Sequence, residues 1–137
     1  MAASIAVDTS VAVPLLLVEH PQHAAVVAWA RGRSIALTAH SLAETYSVLT
    51  RLRHGLRAEP ADAARAIDSG FAQSLLPSSR SLRRLPYLLS ELGISGGAVF
   101  DALVALAARD NGTVLATRDG RARQTYDRIG VSVEIIT

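Results

Sequence analysis

Four acidic residues command attention because of where the surrounding pattern would put them. Asp8 follows directly on the apolar run Ser4–Val7, and Asp119 comes two residues after a second apolar run that ends at Thr117. In an open α/β sheet, ligands and chemistry collect beyond the carboxyl ends of strands. Glu44 and Asp101 lie early in two strong helical patterns. Asp101 sits among Phe100, Ala102 and Leu103, where a carboxylate costs desolvation unless something pairs with it. Each acid also has a plain structural reading. Asp8 could cap the next helix, Asp101 could complement a helix dipole, Asp119-Gly120 could be a turn, and Glu44 could pair on the surface with Ser47 or Arg51. Jointly, four carboxylates at fold-determined positions can converge on one cleft. Such oxygen donors, without Cys or an ordered His pair, suit the hard cations Mg²⁺ or Mn²⁺ rather than zinc. Asp110 and Asp127 are excluded on spacing, since they fall at a helix end and in the last short helix.

The elements that would position these acids alternate in type. Short apolar runs at Ser4–Val7, Ile35–Thr38, Ser74–Leu76, Thr113–Thr117 and Val131–Ile136 read as strands. Helical patterns run from Ser10 to Val18, strained by Pro14, and from Pro21 to Ala30. Others run from Ser41 to His54, Pro60 to Gln73, Ser81 to Leu92, Ala98 to Asp110 and Arg121 to Ile129. Pro86 should kink the helix that contains it or delay its start. Within Ser41–His54 two stripes, Leu42-Tyr46-Leu49-Arg53 and Thr45-Val48-Leu52, are candidates for the core. The alternation predicts an α/β fold with a mostly parallel sheet of about five short strands flanked by helices. With no linker, repeat or low-complexity tract, residues 1–137 are expected to form one domain.

Composition narrows the chemistry further. Half of the 137 residues are hydrophobic, 19% are charged and 4% are aromatic. Such a chain folds around a mostly aliphatic core. There is no Cys, which removes disulfide frameworks, thiol nucleophiles and Cys-ligated zinc. All 14 basic residues are Arg, which removes a phosphate-loop lysine and a Schiff-base lysine. The net charge is only +2, so global charge argues little for a nucleic-acid partner. An Arg-rich stretch from Arg51 to Arg84 could meet phosphate locally, or be a solvated helical face. The apolar stretch Thr9–Val18 is about half of a membrane span, and the start lacks a signal-peptide pattern, so a cytoplasmic address is expected.

Four segments in order carry a resemblance that covers essentially the whole chain. They are Val7-Asp8-Thr9-Ser10-Val11, the run from Ala43 to Leu52 that contains Glu44, the run from Ser95 to Leu103 that contains Asp101, and Leu115-Ala116-Thr117-Arg118-Asp119. In residue type, order and spacing they resemble a PIN-domain ribonuclease of the VapC type, the toxin of bacterial toxin–antitoxin pairs. The resemblance implies that Asp8, Glu44, Asp101 and Asp119 are catalytic, metal-binding acids for Mg²⁺ or Mn²⁺. It implies that Thr9 or Ser10, and Thr117, supply hydroxyls that hold the carboxylates in place. Asp119 is the position at which the family varies most. A cation so held would lower the pKa of a bound water for attack on a phosphodiester, with no protein nucleophile needed. The expected products carry a 5′-phosphate and a 3′-hydroxyl. The implied substrate is a structured RNA, tRNA or rRNA, and the implied partner is a cognate VapB-type antitoxin. Arg51, Arg53, Arg118 and Arg121 lie in or near the acid-bearing segments and are candidate RNA contacts. The run Leu15-Leu16-Leu17-Val18 could serve an antitoxin surface, a homodimer contact or the core.

Other motifs read as decoys. Gly93-Ile94-Ser95-Gly96-Gly97 matches a serine-hydrolase elbow, but a helix precedes it and no His follows Ser95. His20 and His23 lack further ligands nearby and read as a loop or helix start. His40 and His54 flank the Glu44 helix and could touch RNA, with surface residues as the default. Trp29 and Tyr46 could stack on bases, but their spacing favours the core. A competing reading is a PIN-like module that binds RNA or protein without turnover. A phosphatase of the haloacid-dehalogenase type is weak, because position 10 is Ser and no Lys exists.

Overall fold

β1 (Ser4–Val7) and β2 (Ser34–Thr38) form because each is a short run whose side chains are all buried after the first. They pair in parallel, Ser4 opposite Ser34 through Val7 opposite Leu37, in a computed structural model that describes residues 4–53 and 55–137. β3 (Gln73–Leu75), β4 (Leu115–Thr117) and β5 (Val133–Ile135) complete a five-stranded sheet in the order β3-β2-β1-β4-β5. Every neighbouring pair is parallel. Parallel neighbours need crossovers, and helices supply them. α1 (Thr9–Leu16) and α2 (His23–Ala30) join β1 to β2, and α3 (Ala39–Arg51) and α4 (Pro60–Gly70) join β2 to β3. α5 (Ser79–Arg83), α6 (Leu85–Glu91) and α7 (Ala98–Asp110) lead to β4, and α8 (Arg123–Ile129) leads to β5.

The strand order has one consequence for function. The chain steps outward from β1 through β2 to β3, then returns to the other side of β1 to lay down β4. The direction of winding therefore reverses between β1 and β4, and a crevice opens beyond their carboxyl ends.

Two apolar clusters cover the two faces of the sheet. Ile5, Val7, Ile35 and Leu37 pack with Val11, Val26, Leu49 and Ile67 on the side of α1 to α4. Ala6, Ala36 and Leu115 pack with Leu106, Tyr126 and Ile129 on the side of α7 and α8. Alanine at positions 6 and 36 gives the Ala-rich α7 a flat floor. That helix is buried nearly all round at Ala102 and from Val104 to Ala108.

Several expected boundaries move, for identifiable reasons. The first helix starts at Thr9, capped by Asp8, whose side chain accepts from the Ser10 N–H, and it carries Pro14 in its interior. α3 begins at Ala39 and gives way at Leu52, which is extended; the expected end at His54 lies outside the described residues. The helix expected over Ser81–Leu92 is two helices that meet at Arg84. Pro86 occupies the start of the second, where its missing N–H costs nothing. The buried face of α3 is Ser41, Thr45 and Leu49, so Leu42 (36% exposed) and Tyr46 (39%) face outward rather than into the core. Trp29 is half-buried against the α1 to α4 cluster, as are Leu15, Leu16 and Leu17, whereas Val18 is exposed. Among the described residues no helix is long and apolar enough to cross a membrane.

Candidate active site

All four acids reach one cavity of about 310 Å³, lined also by Thr9, Ser10, His40, Ser41, Phe100 and Tyr126. Topology explains the meeting. Asp8 leaves the end of β1 and Asp119 follows β4, on either side of the point where the winding reverses. Glu44 comes from the N-terminal half of α3, the helix that leaves β2, and Asp101 from the first turn of α7.

Asp8 is buried, and both of its carboxylate oxygens accept hydrogen bonds. Oδ1 accepts from the Ser10 backbone N–H at 3.1 Å and from the Ser10 hydroxyl at 2.5 Å. Oδ2 accepts from the Thr117 hydroxyl at 2.5 Å and from the Tyr126 hydroxyl at 2.7 Å. The hydroxyl directions follow from their other bonds. Ser10 Oγ accepts from the Arg118 N–H and Thr117 Oγ1 accepts from the Asp119 N–H, so each points its own hydrogen at Asp8. Burial leaves the Asp8 carboxyl raised above its ordinary value, and the bonds from Ser10, Thr117 and Tyr126 offset part of that rise. Four donors on two oxygens are the environment of an ionised carboxylate. Burial also pushes the Tyr126 phenol up, and the Asp8 charge reinforces the shift, so Tyr126 remains a donor.

The other three acids are less enclosed. The Asp101 carboxyl is raised, first by burial and then by the charges of Asp119, Asp8 and Glu44, with His40 opposing weakly. Asp119 turns back on its own loop, accepting from the Arg121 N–H at 3.0 Å. Glu44 is exposed on the cavity wall. The donor set fits a hard divalent cation, being four carboxylates with hydroxyls behind Asp8. Among the described residues no three such side chains are drawn together closely enough to clasp an ion as they stand.

The remaining expected residues divide. Ser10 and Thr117 bond to Asp8, whereas the Thr9 hydroxyl, on the same wall, has no hydrogen-bond partner among the described residues. None of the four arginines lines the cavity. Arg51 ends α3, about 10 Å along the axis from Glu44, and Arg53 lies beyond it. Arg121 is exposed, 3.7 Å from Asp119 Oδ1. Arg118 stands close enough to His20 to help lower its pKa, after burial. Ser95 is exposed in the turn between α6 and α7, away from any strand end. His23 begins α2 with its ring Nδ1 2.8 Å from the Pro14 carbonyl, and His20 accepts from the Gln22 N–H. Tyr126 was absent from the sequence expectations. Its signal was present: Ala122, Tyr126 and Ile129 share one buried helix face, and a phenol on such a face needs a partner.

The model of the PIN domain matches residues 5–128. The chain is 57% identical to Ribonuclease VapC27 of Mycobacterium tuberculosis over 98% of both chains. It is 43% identical to Ribonuclease VapC40 of the same species, over 97% of this chain and 99% of that one. The chain belongs to the PIN-domain family and, within it, to the VapC ribonucleases. A crystal structure of DNA-bound VapBC from Salmonella typhimurium shares the fold, at a TM-score of 0.65 and 15% identity over the whole of both chains.

Proposed function

We propose that this protein is a metal-dependent endoribonuclease that hydrolyses phosphodiester bonds of a structured RNA, of the tRNA or rRNA kind, as the toxin of a toxin–antitoxin pair. The observation that carries the reading is the meeting of Asp8, Glu44, Asp101 and Asp119 on one cavity at the winding reversal of the sheet. These four would hold Mg²⁺ or Mn²⁺. A divalent cation there supplies Lewis-acid activation of water and neutralises charge on the phosphate. Ser10, Thr117 and Tyr126 favour the charged form of Asp8 and fix both of its oxygens. The Asp101 carboxyl, raised first by burial and then by its acidic neighbours, carries a charge that a cation would offset. Arg118 and Arg121, on the loop after β4, would meet flanking phosphates. A VapB-type antitoxin is the proposed partner, in keeping with the VapBC assembly that shares the fold.

The test is cleavage of total cellular RNA by purified protein in Mg²⁺, in Mn²⁺ and in chelator, with fragment ends mapped by sequencing. Discrete cuts with 5′-phosphate ends, lost in chelator and in Asp101→Ala, support the reading. Binding without cutting in either metal would favour a non-catalytic RNA-binding module instead.

A further inference from the structure

One feature of the cavity wall is not needed to hold a metal. Phe100 is 53% exposed, and it precedes Asp101 in a helix where every other residue is buried or half-buried. It belongs to neither apolar cluster. The ring of His40, one helical turn before Glu44, stacks on it with centroids 5.2 Å apart and planes 18° from parallel. Both rings line the cavity that holds the four acids. The chain has only one Trp, three Tyr and two Phe, so a half-exposed Phe here is a conspicuous use of a scarce residue.

We infer that Phe100, backed by His40, is a stacking platform for an unpaired nucleobase beside the scissile phosphate, an inference that rests on the ribonuclease reading above. A stacked ring pair is rigid, so a base can stack on Phe100 without first ordering it. Unpaired RNA bases are taken up on aromatic faces, and every base has a π-face to offer. The surroundings fit a nucleotide better than a protein segment. Phe100 stands among carboxylates, with Val104 as the aliphatic side chain on the same wall. The extended apolar surface lies elsewhere, in a groove of about 720 Å³ between α3 and α4 lined by Leu42, Tyr46, Ile67 and Phe71. The platform also supplies apolar attraction at the place where four acids repel the RNA backbone. Selection would therefore favour sites where one base beside the cut is free of a partner.

The experiment is a cycle of kcat/KM values on a short RNA spanning a mapped cut and on copies with one abasic residue at each position flanking it. The wild-type protein should lose about tenfold on one abasic copy. Phe100→Ala should lose about tenfold on the intact RNA and nothing further on that copy. Phe100→Tyr should restore the base dependence, and Phe100→Leu, apolar but not flat, should not. Losses that simply multiply would overturn the proposal, since a ring that only props Asp101 affects both RNAs equally. Full activity in Phe100→Leu would also overturn it, as would multiplying losses joined to weaker antitoxin binding, which would make the ring a protein contact. A wild-type protein that cuts no RNA removes the ribonuclease reading itself, a failure visible before any cycle is run.

Discussion

A single helix, α7, carries an acid near each end, and the two behave oppositely. Asp101 lies in the first turn, where the helix dipole favours a carboxylate, yet its pKa is raised. Asp110 lies in the last turn, where the dipole opposes a carboxylate, and its pKa is lowered. Burial acts upward on both. What separates them is company. Asp101 faces Asp119, Asp8 and Glu44, with His40 as a weak counterweight. Asp110 accepts from the Ser78 N–H at 2.9 Å and from Arg109 at 3.2 Å, and Ser81 also holds its charge. About 14 Å apart on one helix, one acid is satisfied by the fold and the other is left for something outside the chain to satisfy. Specific partners outweigh the dipole in both cases.

Substitutions can break or sharpen this contrast. The largest effect belongs to Asp101→Asn, which should lower RNA cleavage on the order of a thousandfold. In chelator the same variant should melt at a higher temperature than wild type, because it removes a charge that the folded state opposes. An activity assay beside a thermal melt reads both. Tyr126→Phe comes next. It removes one donor from the buried Asp8 carboxylate, and should cost about tenfold in cleavage and about 1–2 kcal/mol in stability.

Asp110→Asn should leave cleavage intact and destabilise by about 1 kcal/mol, opposite in sign to Asp101→Asn. Its pH dependence follows from the direction of the shift. A carboxyl depressed in the folded state stabilises fully above the ordinary value of 3.8, and that contribution disappears as pH falls through the lower folded value. Denaturation curves of wild type and variant should therefore differ at pH 6 and converge in strong acid. The smallest effect is Ser95→Ala, which should change cleavage by no more than about twofold, since Ser95 is an exposed turn residue.

Much of this arrangement was legible in the residues. Ser4–Val7 and Ala98–Asp110 form with the bounds their patterns predict, because an unbroken apolar run and an alanine-rich helix closed by Gly112 leave little choice. The four acids were found because strand ends and early helix turns are positions that topology fixes. What escaped was rotation and reach. The stripe Leu42-Tyr46 has helical spacing, but spacing does not say which face of the helix is buried, and the more polar Ser41-Thr45-Leu49 face is. Tyr126 escaped because its bond to Asp8 spans 118 positions of sequence. The stacking of Phe100 on His40 likewise joins helices α3 and α7, and no local pattern records it.

On the proposed reading a divalent cation completes the acids around Asp101, while the acid at the other end of α7 needs none. Calorimetric titration of Mn²⁺ into wild type, Glu44→Gln, Asp101→Asn and Asp110→Asn tests it without RNA. Saturable binding is expected in wild type and Asp110→Asn, and its loss in Glu44→Gln and Asp101→Asn. Equal binding in all four proteins would contradict it, because the cation would then be held somewhere other than the cavity.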